Sequence, residues 1–501
     1  MFLGLDIGTT NCKAIIFNEN GDALSSAFDE YPINYPRSGL AEQDAELVWQ
    51  KTENVLSRAI EKSGYPSIKA LSISVQGDAI IAVDRNLKPL LPVQLGMDYR
   101  AKEQTDRCIK LFGREELYTI TGMPPHPLNS LPKILWIKDE RPEIFKKTWK
   151  FMTYADFVLS KLGSKPVIDY TMASRTMAFD IKTRTWSDKI LDILSIPKDK
   201  LSEPVPSGKI TGSISPQLAQ KLGINSDISL VTGGHDQTCA ALGAGITKPG
   251  RGVVSTGTAE VLSTVLPFQE PASEMLPFFY PCYIYTIPEF LFTFALNHNG
   301  GIVYQWFRDN LCEYERDRAI KEGIDVYSLI NKSFPEGPTN LFVLPHFNGS
   351  GTPTCDLQSK GAILGLTLST TKGEIAKAIL EGLTYELKLN IETMESIGIK
   401  THELVAVGGG AKSHEWLQMK ADITGRPILS LKNKDAASVG AGILAALATG
   451  NITCLDDLVC NFVRYETIFQ PDEKKQTTYR EKYRIYKHLY NSILKLNRII
   501  I

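Results

Sequence analysis

Two short stretches of this sequence set an aspartate against a bend rich in glycine, and both suit chemistry on phosphate. In Asp6-Ile7-Gly8-Thr9-Thr10 a carboxylate closes an apolar run and a Gly/Thr turn follows at once. Backbone N–H groups and hydroxyls in such a turn can cradle phosphate oxygens. A carboxylate beside them can hold Mg2+, usually through water. The same residues also read as an ordinary hairpin turn. In Gly233-Gly234-His235-Asp236-Gln237 the glycines let the chain bend sharply at a strand end. Asp236 then opens a small-residue helix, where it either takes a proton from a hydroxyl, as the catalytic aspartate does in phosphoryl transfer, or caps the helix. His235 is a lone histidine, which suits a structural or hydrogen-bonding role over metal ligation. Gly257-Thr258 and Gly408-Gly409-Gly410-Ala411 are two more bends that allow close backbone approach to a phosphate or a flat base. Neither G-x-x-x-x-G-K-[ST] nor a post-strand G-x-G-x-x-G occurs, which counts against P-loop and dinucleotide-binding readings.

Strands must end where these bends begin, and the hydrophobic pattern supplies them. Residues 2–7, 13–17 and 23–28 read as strands joined by turns at 8–11 and 18–22. Residues 44–63 have helical spacing with Asp44 as N-cap. Strands are expected at 69–75 and 79–84, and helices through most of 100–165. Residues 229–232 form a short strand running into a tight loop at 233–237, and 238–245 a helix. Strands at 252–256 and 259–265 flank the Gly257-Thr258 turn, so the second half opens on an echo of the first and a boundary falls near residue 245. Helices follow at 301–312, at 372–396 behind Thr371, at 413–424 behind Ser413, at 436–448 and at 472–497, with a strand at 403–407. The tyrosines at 479, 483, 486 and 490 share one helix face and read as packing.

Composition sets the frame. The 501 residues hold 43% hydrophobic and 22% charged side chains, and 55 Lys and Arg against 56 Asp and Glu give a net charge of −1. That balance gives no global reason to seek nucleic acid or an anionic membrane. The chain length alone suggests about three domains. No apolar stretch reaches the ~18 residues of a membrane span, and the N-terminus lacks the basic region of a signal peptide. The eight cysteines form no C-x-x-C or zinc spacing, and read as buried small hydrophobes in a reducing cytoplasm. The N-x-S/T triplets at Asn331, Asn348 and Asn451 are then chance matches.

Two longer runs carry a family signal. Residues 361–381, GAILGLTLSTTKGEIAKAILE, set Gly361, Ile363, Gly365 and Leu366 seven residues ahead of Glu374, Ile375, Ala378, Ile379, Leu380 and Glu381. Residues 128–140, LNSLPKILWIKDE, carry Ser130, Lys133, Ile134, Trp136, Ile137, Asp139 and Glu140. With Asp6 and Asp236, these runs resemble the two sequence patterns of the FGGY carbohydrate kinases, members of the actin-like ATPase superfamily. Leu128 departs from the first pattern, where a small or aromatic residue is usual. The resemblance implies an α/β fold of two duplicated RNase H-like domains, 1–245 and 246–501, with ATP and a sugar meeting in the cleft between them. The first domain would hold the sugar, the first phosphate loop and the base; the second would hold the nucleotide. It implies Asp6 as the Mg2+-associated carboxylate, Gly8, Thr9 and Thr10 as the first phosphate loop, Gly257 and Thr258 as the second, and Asp236 as general base. Gly301 and Gln305 match positions beside the nucleoside. Gly409, Gly410 and His414 match the adenosine-binding turn and helix. The sugar side would comprise Gln76, Gly77, Asp78, Asp98, Arg100, His235 and Gln237.

The substrate is less legible. Glycerol kinases carry Arg-Glu where this chain has Gly77-Asp78, and xylulokinases usually carry Met-His after the glutamine. The histidine before Asp236 is similar to that of deoxysugar ketose kinases. Asp78 and Arg100 suggest recognition of several hydroxyls, which favours a ketose (xylulose-, ribulose- or fuculose-like) or a related polyol. The alternatives are an aldonate such as gluconate, with Arg100 pairing its carboxylate, and an actin-like ATPase switch without sugar chemistry. The expected partners are a small sugar and no nucleic acid or membrane, with a homodimer left open.

Overall fold

The computed structural model describes residues 1–65, 67–269, 273–450 and 454–499; the Asn451 triplet lies outside the described residues. The first apolar runs become β1 (Phe2–Ile7), β2 (Asn11–Phe17) and β3 (Ala23–Glu30), an antiparallel meander. Helix α1 (Ala45–Lys62) starts where Asp44 accepts hydrogen bonds from the N–H groups of Glu46 and Leu47. β4 (Ala70–Val75) is buried at every position and lies parallel to β1, as a strand covered on both faces should. Helices α2 (Ser130–Glu140) and α3 (Tyr170–Arg175) fall in the excursion before β5 (Ile210–Ser213) and β6 (Ser229–His235). The sheet order is β3-β2-β1-β4-β6-β5, with β6 parallel to β4 and β5 antiparallel at the edge. The run at 79–84 is a strand at Ile81–Val83, but it pairs with Lys150–Met152 outside this sheet.

One expectation is corrected at the end of β6. The strand does not stop at 232 before a loop; it runs to His235, and α4 (Asp236–Gly243) begins at the next residue. The register against β4 shifts between Val231 and Gly234. A Cβ on Gly233 would lie 1.4 Å from the carbonyl oxygen of Ile73. Glycine here serves close strand approach at a bulge rather than a free turn.

The second half repeats the plan. β7 (Gly250–Thr256), β8 (Glu260–Pro267) and β10 (Phe290–Asn297) form the meander, with the short β9 (Tyr283–Ile284) added at its outer edge. Helices α5 (Gly301–Leu311) and α6 (Lys372–Ser396) follow, the latter opened by a capping box between Thr371 and Glu374. β11 (Thr401–Val407) lies parallel to β7. Next come α7 (His414–Thr424), β12 (Ile428–Leu431), α8 (Ala436–Ala448), β13 (Tyr465–Phe469) and α9 (Glu473–Asn497). The order β10-β8-β7-β11-β12-β13 matches the first sheet strand for strand, and all five pairings have the same parallel or antiparallel sense. The single echo in the sequence is therefore part of a repeated strand arrangement, whose far edge is connected differently: β5 precedes β6 in the chain, whereas β13 follows β12.

Helix α8 comes late in the chain but packs on β1, β4 and β6 of the first sheet and along α4. Its sequence, AASVGAGILAALA, is apolar nearly all round, as a buried helix requires. Small residues set the contact distance. A Cβ on Gly4 would lie 2.1 Å from the carbonyl oxygen of Ser438, and one on Gly440 would lie 2.0 Å from that of Cys239. The Lys13–Asp435 ion pair, 2.6 Å long, joins β2 to the start of α8. In α9, Tyr479, Tyr483 and Tyr486 are buried against α6, and their hydroxyls donate to Glu381, Glu392 and Glu386. No described helix is long and apolar enough to cross a membrane. All eight cysteines are free; five are buried, Cys355 is half-buried, and Cys454 and Cys460 are exposed, against the expectation that all would be core residues.

Candidate active site

The strand ends of the first sheet bring three aspartates into one neighbourhood. Asp6, at the end of β1, accepts a 2.7 Å hydrogen bond from Ser74 on β4. Burial pushes its carboxyl up to about 6, against the pull of Ser74 and Lys13. The turn behind it is braced from outside. Tyr31 Oη lies 2.7 and 2.8 Å from the carbonyl oxygens of Gly8 and Asn11, and the Gln43 amide donates to the carbonyl of Thr9. Thr10 is exposed, and Gly8 and Thr9 are half-buried.

Asp236 is the first residue of α4, and His235 before it makes no side-chain cap. Asp236 is not the cap residue, since it already lies inside the helix, and its Oδ1 is buried without a hydrogen-bond partner. Burial, followed by the nearby negative charge of Asp6, raises its carboxyl to about 7. His235 Nε2 sits 3.2 Å from that oxygen without hydrogen-bond geometry, and its Nδ1 pairs with the Tyr283 hydroxyl at 3.0 Å. Burial and the Arg175 charge hold His235 well below the usual histidine range, so its ring is neutral. Gln237 sits in the first turn of α4, half-buried.

Gln76 follows β4; its N–H donates to the carbonyl of Ile7 and its amide to Gln43. A Cβ on Gly77 would lie 2.8 Å from His235 Nε2 and 2.9 Å from Arg175 Nε, so any larger residue would displace these two side chains. Asp78 has a left-handed backbone, φ +67°, and forms a buried two-bond pair with Arg175. Lys133 holds this strained residue: its fully buried ammonium donates to the carbonyls of Asp78 (2.9 Å) and Leu128 (2.6 Å). Burial lowers that ammonium to about 8. The lysine of the first family pattern thus supports the site from behind.

Two sugar-side expectations are corrected. Asp98 is completely buried, and its oxygens accept from the N–H of Ala41, the N–H of Arg100 and the Arg100 guanidinium, so it does not face the cleft. Arg100 is forked onto Asp98 and bonded to Glu42 at 2.6 Å, with its guanidinium stacked over Trp136. Its Nε and Nη2 are thereby committed to Asp98 and Glu42, which leaves Nη1 alone for any further partner.

On the second half a cavity of about 400 Å3, a size suited to a nucleoside, opens beside the Gly257-Thr258 turn. Gly257, Thr258, Gly301, Gln305, Gly409 and Gly410 line it, as do Tyr304, Asp325, Asn331, Glu415 and Trp416, which sequence reasoning missed. The start of α5 is tied to the turn by N–H bonds from Gly300 to Thr258 and from Gly301 to Gly257. Gly408 has φ +81°, and a Cβ on Gly410 would come within 2.7 Å of Thr256. Behind the turn, Lys420 forms a fully buried ion pair with Glu260 and donates to Thr256 at 2.7 Å. His414 is corrected: it is exposed and packs edge-on against Phe469, 5.4 Å between ring centroids. The helix turn presents its neighbours Ser413 and Glu415 to the cavity instead.

The arrangement offers a Gly/Thr turn on each sheet, a titratable carboxylate with an unpartnered oxygen at one strand end of the first, and a cavity beside the turn of the second. Comparison with known proteins agrees. Residues 1–243 match the N-terminal domain of the FGGY family of carbohydrate kinases, and residues 252–449 match its C-terminal domain. A gluconokinase of Bacillus subtilis is 32% identical over 473 residues, covering 93% of this chain and 91% of that protein. A xylulose kinase of the same organism is 28% identical over 99% of this chain and 97% of its own. Solved structures of a xylulose kinase and a gluconate kinase from Lactobacillus acidophilus superimpose with TM-scores of 0.87 and 0.88, each at 27% identity and 98% coverage of both chains. The repeated sheets are those of the RNase H-like, actin-like ATPase fold, and this chain belongs to the FGGY family of carbohydrate kinases.

Proposed function

We propose that this carbohydrate kinase transfers the γ-phosphoryl group of ATP to a hydroxyl of a small ketose or related polyol, with Asp236 as general base. The observation that carries the reading is Asp236 Oδ1: a buried carboxylate oxygen with no partner, at a strand end, on a group that titrates near neutrality. Such an oxygen is free to accept the proton of a substrate hydroxyl as it attacks phosphorus, an assistance of about 10²–10⁴-fold. Residues 1–245 would supply the sugar side, the first phosphate turn and the base. Residues 246–501 would supply the nucleotide side, with the adenosine against Gly301, Gln305, Gly409 and Gly410.

Mg2+ keeps most of its waters and takes one or two protein carboxylates plus substrate phosphates. Asp6 fits that demand, being half-buried at a strand end beside the Gly8-Thr9-Thr10 turn. A magnesium ion there would offset charge on the transferring phosphates. The chain's own share is to orient them with the two Gly/Thr turns, through electrostatics already in place before reaction. Lys13 and Asp435 balance one another beside Asp6 and leave its charge available. The same reading makes the protein a cytoplasmic enzyme, monomeric or homodimeric, without nucleic-acid or membrane partners.

The similarity to proteins named gluconokinase supports a second reading, an aldonate as acceptor. The test is ADP release with ketoses, polyols and aldonates in turn. Near-normal turnover by Asp236→Ala on the true substrate would overturn the base assignment. ATP hydrolysis that no sugar accelerates would overturn the acceptor assignment.

A further inference from the structure

Arg175 lies on α3 with its side chain 4% exposed. Nε and Nη2 are both spent on the Asp78 carboxylate. Two aromatic rings of the second half flank the guanidinium, with Cζ 5.4 Å from the centroid of Tyr283 and 5.6 Å from that of Phe294. Nη1 is buried and makes no hydrogen bond of regular geometry, although the Tyr283 hydroxyl is close enough to strengthen the charge. A buried donor without an acceptor is costly, and native proteins keep such groups where a ligand or water completes them. Gly77 packs against both Arg175 Nε and His235 Nε2, and Asp236 Oδ1, the other orphaned charged-group atom here, is 3.2 Å from that same His235 nitrogen. Two incompletely bonded polar atoms therefore belong to side chains that share the neighbourhood of Gly77 and His235.

Charge decides which ligand fits. Arg175 is already matched by Asp78, and Arg100 by Asp98 and Glu42. Lys133 spends its ammonium on two carbonyls, and His235 is neutral. Asp236, beside His235, adds negative charge in its ionised form. A substrate carboxylate would meet no uncommitted cation among these residues, and would lie against Asp78 and Asp236, a like-charge arrangement that strongly disfavours binding.

We infer that Arg175 is a specificity-determining residue: its Nη1 donates to an uncharged oxygen of the acceptor, a carbonyl or hydroxyl, while the Asp78 clamp and the Tyr283 roof select neutral sugars over aldonates. This rests on the kinase reading above. It sets the charge at the site against the nearness in sequence of a gluconokinase.

The experiment measures kcat/KM for neutral ketoses and polyols, with D-xylulose and D-ribulose among them, and for aldonates including D-gluconate. The best neutral sugar is expected to exceed the best aldonate by at least about 100-fold. Asp78→Asn removes the clamp's charge and should move that ratio toward aldonates by about tenfold or more. Arg175→Gln should lose at least about 30-fold on the neutral substrate, with thermal protection by ATP unchanged. If ATP no longer protects Asp78→Asn, the double variant Asp78→Asn/Arg175→Gln, which leaves no buried charge unanswered, replaces it. That variant should lose neutral-sugar turnover without gaining aldonate turnover, and a gain would overturn the inference. Aldonate turnover by the wild-type protein equal to that of any neutral sugar would overturn the inference and leave the kinase reading intact. Arg175→Gln within twofold of wild type would do the same. ATP hydrolysis with no phosphorylated product from any panel member would overturn both.

Discussion

Asp236 is poised between two demands that pull in opposite directions with pH. As a base it must be ionised, so turnover should rise as pH climbs through about 7 and level off above. For stability the sign is reversed. Its carboxyl binds a proton more tightly in the folded protein than at its ordinary value of 3.8, so its stabilising contribution is complete below about 3.8 and is lost as pH rises through about 7. Asp156, also raised by burial to about 7, adds to the same trend. Asp236→Asn is therefore expected to lose about 10²–10⁴-fold in kcat yet to melt above wild type at pH 8, with the gap closing toward pH 5. Thermal scans at the two pH values check it, and equal gaps at both would refute the burial argument. The Lys420–Glu260 pair makes a second case. Lys420→Met strands a buried carboxylate and should cost about 3–5 kcal/mol, read by denaturant unfolding, and Lys420→Met/Glu260→Leu should recover most of it. Legibility at this scale was uneven. Asp6, Asp236 and the glycine bends announce themselves by local order, acid beside turn. Arg175 does not, because the partners that give it meaning lie 97 residues away at Asp78 and in the other half at Tyr283. Asp98 and Arg100 misled because an Asp-x-Arg spacing reads the same whether it faces a cleft or closes on itself. His414 misled because spacing does not fix which residues of a helix's first turn face inward.

At the scale of elements, most of the structure was legible. The strands β1 to β4, the helices α1, α6, α8 and α9, and the caps Asp44, Thr371 and Ser413 all stand where periodicity and capping chemistry put them. The pairing of strands far apart in the chain was not legible, because register depends on partners no local pattern names. The crossing of α4 and α8 is the clearest example. Each helix reads as small and apolar, but only the packed pair shows why Gly440 cannot carry a side chain. Gly440→Ala drives a Cβ to 2.0 Å from the backbone of Cys239. The expected loss is at least about 1–3 kcal/mol, as for overpacked cores, and a melting temperature within a degree of wild type would contradict the tight crossing.

At the scale of the whole molecule, the two sheets are alike in the order and sense of their strands but differ in what they carry. The second sheet carries the roughly nucleoside-sized cavity, and the first carries the acidic strand ends. A ligand of the native state stabilises it by mass action, about 2.7 kcal/mol at a hundred times its Kd. ATP with Mg2+ should therefore raise the melting temperature without any sugar present, and Gly410→Val, which would push a side chain into Thr256, should abolish that rise. Differential scanning with and without nucleotide checks both. Contacts such as Tyr283 with His235, and the Tyr118 hydroxyl with the carbonyl of Tyr280 at 2.8 Å, join the halves outside the cavity beside the Gly257-Thr258 turn.

The lodging of α8 on the first sheet also has a consequence for how the protein is made. The face of β1, β4 and β6 that α8 covers is synthesised early, but its cover emerges roughly 200 residues later, after most of the second half. At ribosomal rates of about 5–20 residues per second, that face is open for some 10–40 s on a nascent chain. The first half is thus a growing polypeptide with an uncovered apolar surface, a natural client for a chaperone at the ribosome. A transcript cut short after codon 243 should yield an aggregating fragment rather than a small folded domain.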